Sequence, residues 1–312
     1  MKLTIGTRGS KLALWQAQWV KAELERLHSG IKIYLNIIKT TGDKILDVPL
    51  ALVGGKGLFV KEIEEALIKG EADIAVHSIK DVPVIFPIGL ILPVICERHI
   101  PNDALIIKGG DKIINGAFKN LPIGARVGTS SLRRSSQLLN IRPDLNIIQL
   151  RGNVDTRLRK LDQGDYDAII LAGAGLSRLG LAHRITEQLS FDISLPAIGQ
   201  GAIGIECREG DNKVMELVAP LNHYESGICV NTERAFLKKL EGGCQIPIAG
   251  YATIVDGNKI TIDGLVGSVD GKTIIREQIT GDISDYEKIG IDLAERLLDK
   301  GAGEILAAIV KM

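Results

Sequence analysis

The sequence has no net charge: 38 lysines and arginines face 38 aspartates and glutamates over 312 residues. That balance excludes nonspecific nucleic-acid binding driven by a global positive field and leaves only a local patch to do such work. Aromatic residues make up 4% of the chain, too few for a stacking platform on single-stranded nucleic acid. Long apolar runs are lacking as well. The longest uncharged stretch of note, 82–96, falls short of the ~20 residues a membrane span requires and is broken by Pro83, Pro87, Gly89 and Pro93. It is expected to be buried strand and turn, with no membrane contact. The opening Met1-Lys2-Leu3-Thr4-Ile5-Gly6 lacks the apolar core and cleavage site of a secretory signal, so a cytoplasmic location is expected. The four cysteines, Cys96, Cys207, Cys229 and Cys244, form no CxxC pair and no dense framework, which fits a reducing compartment. Cys96 with His99 alone is short of a zinc ligand set, and no metal site is expected.

What the chain does contain is a crowd of arginines. Arg126, Arg133, Arg134, Arg142, Arg151, Arg157 and Arg159 fall in one stretch whose only carboxylates are Asp144 and Asp155. Guanidinium groups bind carboxylate or phosphate through a planar fork of donors, so a local excess of arginine suggests an acidic small molecule held in fixed geometry. A solvated basic face with Arg–Asp pairs is the other reading of the same spacing.

Short apolar runs alternate with amphipathic stretches of helical period, as in Leu3–Ile5, then 12–27, then 31–38. This βαβ rhythm predicts parallel sheets covered by helices. A weak internal repeat refines it. Ile5-Gly6-Thr7-Arg8-Gly9-Ser10 resembles Val127-Gly128-Thr129-Ser130-Ser131, and Gly70-Glu71-Ala72-Asp73-Ile74-Ala75 resembles Gly164-Asp165-Tyr166-Asp167-Ala168-Ile169, in the same order. Two similar α/β domains facing a cleft are expected, with ligands at the carboxyl ends of the strands. After about residue 222 alternating segments surround the turn Asp256-Gly257-Asn258 and a helical pattern follows over 284–300, which predicts a smaller α+β domain.

Candidate chemistry sits in three places. The strand ending near Val76 runs into His77-Ser78-Ile79-Lys80-Asp81-Val82-Pro83, where Asp81 is either a surface partner of Lys80 or a cleft carboxylate able to stabilise a cation or pass a proton. His77 is expected to pack or hydrogen-bond at the strand end. Gly54-Gly55-Lys56-Gly57 looks like a phosphate loop but has Leu50 and Gly57 where that motif needs Gly and Ser or Thr, so it reads as a glycine-rich lid carrying one cation. Cys244, behind Gly242 and Gly243, is either an unusually reachable thiol or a small residue at a tight turn. Ser10, and Ser130 or Ser131, stand where helix N-caps would aim backbone N–H groups at an anion. Trp15 and Trp19 are expected in helix core.

Taken in order, these segments resemble the porphobilinogen deaminases. The motifs are Thr7-Arg8-Gly9-Ser10 with Leu14-Trp15-Gln16-Ala17, Gly54-Gly55-Lys56-Gly57-Leu58-Phe59, and His77 through Pro83. They continue with Gly128-Thr129-Ser130-Ser131-Leu132-Arg133-Arg134, Arg151-Gly152-Asn153-Val154-Asp155-Thr156-Arg157, Leu195-Pro196-Ala197-Ile198-Gly199-Gln200-Gly201 and Glu241-Gly242-Gly243-Cys244. The resemblance covers nearly the whole chain. It implies a transferase of tetrapyrrole and heme biosynthesis that condenses four porphobilinogen molecules head to tail, releases four ammonia and frees the linear hydroxymethylbilane. That product would pass to a downstream tetrapyrrole-cyclising enzyme. The resemblance also implies a dipyrromethane cofactor joined by a thioether to Cys244, and a monomer. The arginine crowd would answer the acetate and propionate groups of the growing chain.

By position in the motifs, Asp81 would be the catalytic carboxylate. Lys80, Ser78, Thr129, Ser131, Arg133, Arg134, Arg151 and Asp43 would hold the cofactor. Arg8, Ser10, Lys56, Phe59, Asn153, Arg157, Arg178 and Gln200 would hold substrate. Leu52 and Thr41 depart from a lysine and an arginine found in relatives and leave the lid contacts open. The implied fold is two periplasmic-binding-protein-like domains plus the small third one: a discontinuous first domain, 1–98 with 197–221, then 102–194, then 222–312. A non-catalytic two-domain anion-binding protein is the alternative.

Overall fold

The computed structural model describes residues 2–44, 60–110, 112–241 and 246–310. Lys56, Phe59, Leu52 and Cys244 lie outside the described residues, and so does the side chain of Asp43, whose backbone is in the short helix Thr41–Lys44. The described strands, in chain order, are β1 (Lys2–Arg8), β2 (Lys32–Ile38), β3 (Ile74–Ser78), β4 (Leu90–Ile95), β5 (Asp103–Ile107), β6 (Arg126–Gly128) and β7 (Asn146–Ile148). They continue with β8 (Ala168–Ala172), β9 (Glu187–Gln188), β10 (Ile203–Arg208), β11 (Ile248–Val255), β12 (Lys259–Gly267) and β13 (Ile274–Asp282).

Two compact units form, Met1–His99 with Ala202–Gly227, and Ile100–Gly201 with Ile228–Met312. The first is built on the sheet β2-β1-β3-β10-β4, in which β1 runs parallel to β2 and β3 while β10 runs antiparallel to β3 and β4. The helix Lys11–Leu27 covers one face with Ala17, Val20 and Leu24, spaced by three and four residues, against Leu3, Ile5 and Ile74. The helix Lys61–Ile68 covers the other face with Ile63, Ala66 and Leu67 against Ala72, Ala75 and Leu90. Gly6 permits this approach, since a Cβ there would lie 3.2 Å from Ala72 Cβ and 3.3 Å from Ile63 Cγ2.

In the second unit the sheet β7-β6-β8-β5-β9 has the same plan: β6 parallel to β7 and β8, and β5 antiparallel to β8 and β9. The internal repeat falls on matching strands, β1 with β6 and β3 with β8. A third, antiparallel sheet β11-β12-β13 follows. Its first hairpin turns through the three residues 256–258, with Asp256 (φ 52°) and Gly257 (φ 74°) both left-handed, a conformation glycine adopts at no steric cost. The molecule is thus α/β with a smaller α+β C-terminal portion.

Some readings of the sequence change. Trp15, expected in helix core, is exposed at 37%, while Trp19 is partly buried against the first unit's core. Within 82–96 only Leu90–Ile95 is strand, and Ile85 and Ile88 are exposed, because the prolines and Gly89 (φ 88°) keep the earlier half out of any ladder. The two compact units part at other positions than the three expected domains. Residues 197–201 go with the second unit, where Ile198 packs in the Phe236 core, Gly250 N–H donates to Pro196 O, and Gly199 N–H donates to Glu233 Oε2. Residues 222–227 go with the first, through His223 N–H to Ile95 O and Arg98 N–H to Ser226 Oγ.

Phe236, fully buried on the helix Tyr224–Lys239, lies against the glycine positions of β11 and β12. A Cβ at Gly264 would come within 2.7 Å of Leu293 Cδ2 and 2.8 Å of Phe236 Cζ. Gly264→Ala is therefore expected to destabilise the protein by about 1–3 kcal/mol through overpacking, read as a lowered urea midpoint; an unchanged midpoint would show slack between helix and sheet.

Candidate active site

In the first unit, β1 ends at Arg8 and the chain turns into a helix capped by Ser10, whose Oγ accepts from Ala13 N–H at 3.3 Å. β3 ends beside it at Ser78. Gln16, almost fully buried on the helix, donates from Nε2 to Ser78 Oγ at 2.8 Å and fixes the strand end. A single 3-10 turn follows, Ile79–Asp81. Ile79 and Val82 are both buried, Ile79 N–H donates to Ala202 O at 3.1 Å, and Val82 N–H donates to Ile79 O at 3.0 Å. The two residues between these anchors, Lys80 and Asp81, are half-buried. A cavity of about 60 Å³ lies here, lined by Arg8, Ser10, Gln16, His77, Ser78 and Asp81 with apolar Leu12, Ala13, Val60, Ile63 and Val76. The structure thus brings Arg8, Ser10, Ser78 and Asp81 together. Asp81 thus lines the cavity. His77 makes the expected strand-end hydrogen bond, from Nε2 to Glu206 Oε2 at 2.9 Å.

In the second unit the corresponding strand ends carry another polar group. Ser131 caps the helix Leu132–Ile141 and Asn153 caps Val154–Gln163, accepting from Thr156 N–H at 2.9 Å. Thr129 Oγ1 accepts from Ser131 N–H at 3.2 Å, Thr129 N–H donates to Ile148 O, and Ser130 Oγ bonds both the C=O and N–H of Leu150. The loop after β6 is therefore tied to the segment after β7, and Thr129, Ser131, Arg151, Asn153 and Arg157 share one end of the sheet. Arg157 Nε donates to Gly152 O at 2.8 Å, and Arg178 Nη2 to Gly201 O at 2.7 Å.

Arg133 and Arg134, expected to hold the cofactor, are paired with a carboxylate of the protein itself. Both are buried on Asp103, itself fully buried at the start of β5. Arg133 Nη1 lies 2.7 Å from Asp103 Oδ2 and Arg134 Nη2 2.6 Å from Oδ1. Ser194 Oγ donates to the same carboxylate at 2.7 Å and Gln200 Nε2 at 3.0 Å. Leu195 O and Ile170 O accept further guanidinium bonds. Burial alone would raise the Asp103 carboxyl, and it is the largest single influence, but the two guanidinium groups together outweigh it and hold the carboxyl well below its usual range. Arg126 and Arg142 are likewise paired, with Asp167 at 2.8 Å and Asp144 at 2.7 Å. Much of the arginine crowd is thus matched inside the protein. Asp103 and Asp167 lie outside the arginine stretch, so spacing within it carried no sign of them.

Among the described residues no group of three or more His, Cys, Asp or Glu is arranged to hold a metal ion, and no helix is long and apolar enough to cross a membrane. Cys96, Cys207 and Cys229 are buried thiols.

The chain is α/β, with Arg8, Ser10, Ser78 and Asp81 brought together at one strand end. The protein belongs to the porphobilinogen deaminase family: the family model for the dipyrromethane cofactor binding domain matches residues 3–216, and that for the C-terminal domain matches 227–299. It is 57% identical to the porphobilinogen deaminase of Syntrophotalea carbinolica over 98% of this chain and 96% of that one. With that of Geobacter sulfurreducens it shares 56% identity over 99% and 95%. Among solved structures, the VFT2 domain of Bordetella pertussis BvgS aligns with a TM-score of 0.43 and 15% identity, covering 70% of this chain and 84% of that one. The resemblance found in the motifs therefore holds. The protein is a transferase whose cofactor is dipyrromethane.

Removing the Asp103 charge would leave two buried guanidinium groups without their counter-ion. Asp103→Asn is expected to cost about 3–5 kcal/mol, measured by urea denaturation near neutral pH. Because the folded carboxyl is held low, its contribution is present above the ordinary carboxylate range and is lost as pH falls below it, so the variant's deficit should shrink in acid. Wild-type stability in the variant would show that the remaining partners suffice.

Proposed function

We propose that this protein is a hydroxymethylbilane synthase that condenses four porphobilinogen molecules head to tail, with loss of four ammonia, on a dipyrromethane anchored by a thioether to Cys244. The observation that carries the reading is Asp81, held at the end of β3 in a cavity shared with Arg8, Ser10 and Ser78, within a chain matched along nearly its whole length by the family. The non-catalytic anion-binding alternative has no comparable support.

The donor chemistry fits a ligand rich in carboxylates. Ser78, Lys80, Thr129, Ser131 and Arg151 are the groups we assign to the cofactor, with Arg133 and Arg134 supporting that end of the sheet through Asp103. When bound, dipyrromethane supplies a pyrrole with a free α-carbon from which elongation starts. Arg8 and Ser10, with Asn153, Arg157 and Arg178, are assigned to the acetate and propionate groups of the substrate. Guanidinium and hydroxyl donors can bind these without reacting. Gln200, bound to Asp103, acts from within the protein.

Loss of the aminomethyl nitrogen leaves positive charge on the pyrrole. A carboxylate fixed beforehand near that charge lowers its energy without having to reorganise. The anchors at Ile79 and Val82 supply this fixity to Asp81, and the same carboxylate can accept a proton from the condensing carbon. We further propose three domains, with the cysteine on the third, a monomer in the cytoplasm, and delivery of the product to an enzyme that closes linear tetrapyrroles.

Asp81→Asn is expected to keep the wild-type urea midpoint and the attached cofactor yet lose turnover by roughly hundredfold; near-normal turnover would remove Asp81 from its role. The anchor has its own test. Intact mass should exceed the sequence mass by two linked pyrrole units, and the excess should be absent from Cys244→Ser. An excess that persists in that variant would place the thioether elsewhere.

A further inference from the structure

Three ionisable side chains that the proposed reaction does not use lie between the first unit's sheet and the helix Lys61–Ile68. Glu206 on β10 pairs with Ala75 on β3, two residues from His77, so Glu206 and His77 project on the same face, the one the helix covers. Glu64 comes from that helix. All three are more than nine-tenths buried: Glu206 is 0%, His77 6% and Glu64 7% exposed. His77 bonds Glu206 Oε2. Glu64 Oε1 and Glu206 Oε1 are both buried with no hydrogen-bond partner among the described residues. Two buried acceptor oxygens left unmatched are costly, and one proton on the pair removes one of the two buried charges. Burial first, then the charge of Glu206, push the Glu64 carboxyl up to about 7, with His77 pulling the other way.

Other charged groups on these elements, among the described residues, have partners of their own. Arg208 on β10 serves the C-terminal end of the helix, donating to Leu67 O and Ala72 O and pairing with Asp73 and Asp211. Glu62, on the same helix, accepts from Thr41 N–H, and Lys69 pairs with Glu65. Arg8 and Asp81 stand on the cavity side of His77.

We propose that Glu64 and Glu206 share one proton, and that His77, bonded to Glu206 and standing in the cavity wall with Asp81, passes the state of this pair to the reaction site, making Glu64, Glu206 and His77 positioning residues. The effect on turnover rests on the function proposed above; the shared proton does not. With the proton in place, the pair carries one negative charge. Its loss leaves two buried carboxylates repelling each other behind the strand end that carries Ser78 and Asp81. Glu64 holds its proton more tightly folded than unfolded, so its contribution to stability is complete in acid and is lost as pH rises through about 7.

The test compares the cofactor-loaded wild type with Glu64→Gln, which keeps a donor and removes the titration, from about pH 5 to about pH 9. Urea midpoints and kcat for porphobilinogen consumption are read at each pH. In the wild type both should change through an inflection near pH 7; in the variant the stability inflection should disappear and that in kcat should be lost or move upward, with KM unaltered. Superimposable curves for the two proteins would overturn the proposal. A flattened stability curve with an unmoved kcat profile would overturn the link to the cavity. If the variant does not fold, carboxyl-carbon NMR of the wild type decides: a glutamate titrating near pH 7 supports the shared proton, and none titrating above about pH 6 overturns it. A wild type that shows this titration but no turnover of porphobilinogen would sink the proposed function and leave the shared proton standing.

Discussion

The second unit depends on one buried carboxylate. Asp103 opens β5, and the groups that converge on it come from the helix Leu132–Ile141 and from the 194–200 segment. An isolated buried charge would be prohibitive. Here two guanidinium groups, a hydroxyl and an amide meet a single carboxylate, and backbone carbonyls take up other guanidinium donors. The arrangement sets the position of the helix whose N-terminal turn holds Ser131, so the polar end of the β7-β6-β8-β5-β9 sheet inherits its geometry from an ion cluster rather than from apolar packing alone. The same helix reaches the third sheet, with Asn140 Nδ2 bonded to Gly271 O.

The first unit positions its carboxylate by apolar anchors. Asp81 follows a strand and sits in one turn between two buried aliphatic residues, while Gln16 holds the strand end from the neighbouring helix. Anchoring of this kind suits a carboxylate that must meet changing charge. A pair of guanidinium groups clamped on it, as on Asp103, would compete with the cation it is assigned to stabilise.

Local features were legible in the sequence. Ser10 and Ser131 cap helices because their side chains reach N–H groups three residues on, and the Asp256-Gly257 turn follows from backbone freedom at those residues. The repeat marked corresponding strands of two sheets. Asp81 stood out because polar residues that follow a buried strand and are closed off by a proline are held at the strand end, where ligands gather. Long-range pairings were hidden. Asp103 meets Arg133 across 30 residues and Glu206 meets His77 across 129, and no periodicity encodes such partners. A charged residue at the head of the apolar strand Asp103–Ile107, and another inside Ile203–Arg208, were the available signals. Read alone, the arginine-rich stretch overstated the demand for an external anion.

The strand order of the first sheet also bears on how the chain is made. β10 lies between β3 and β4, and β4 has no other neighbour among the described strands of that sheet, yet β10 begins only at Ile203. During synthesis from the N-terminus, the entire β5–β9 sheet emerges before the strand that completes the earlier one. Until then β3 has an open edge and β4 lacks its ladder, and the cavity wall at His77 and Ser78 lacks its backing. The first unit thus waits on a strand encoded after the whole of its neighbour, and the second sheet, although encoded later, can be the first to close.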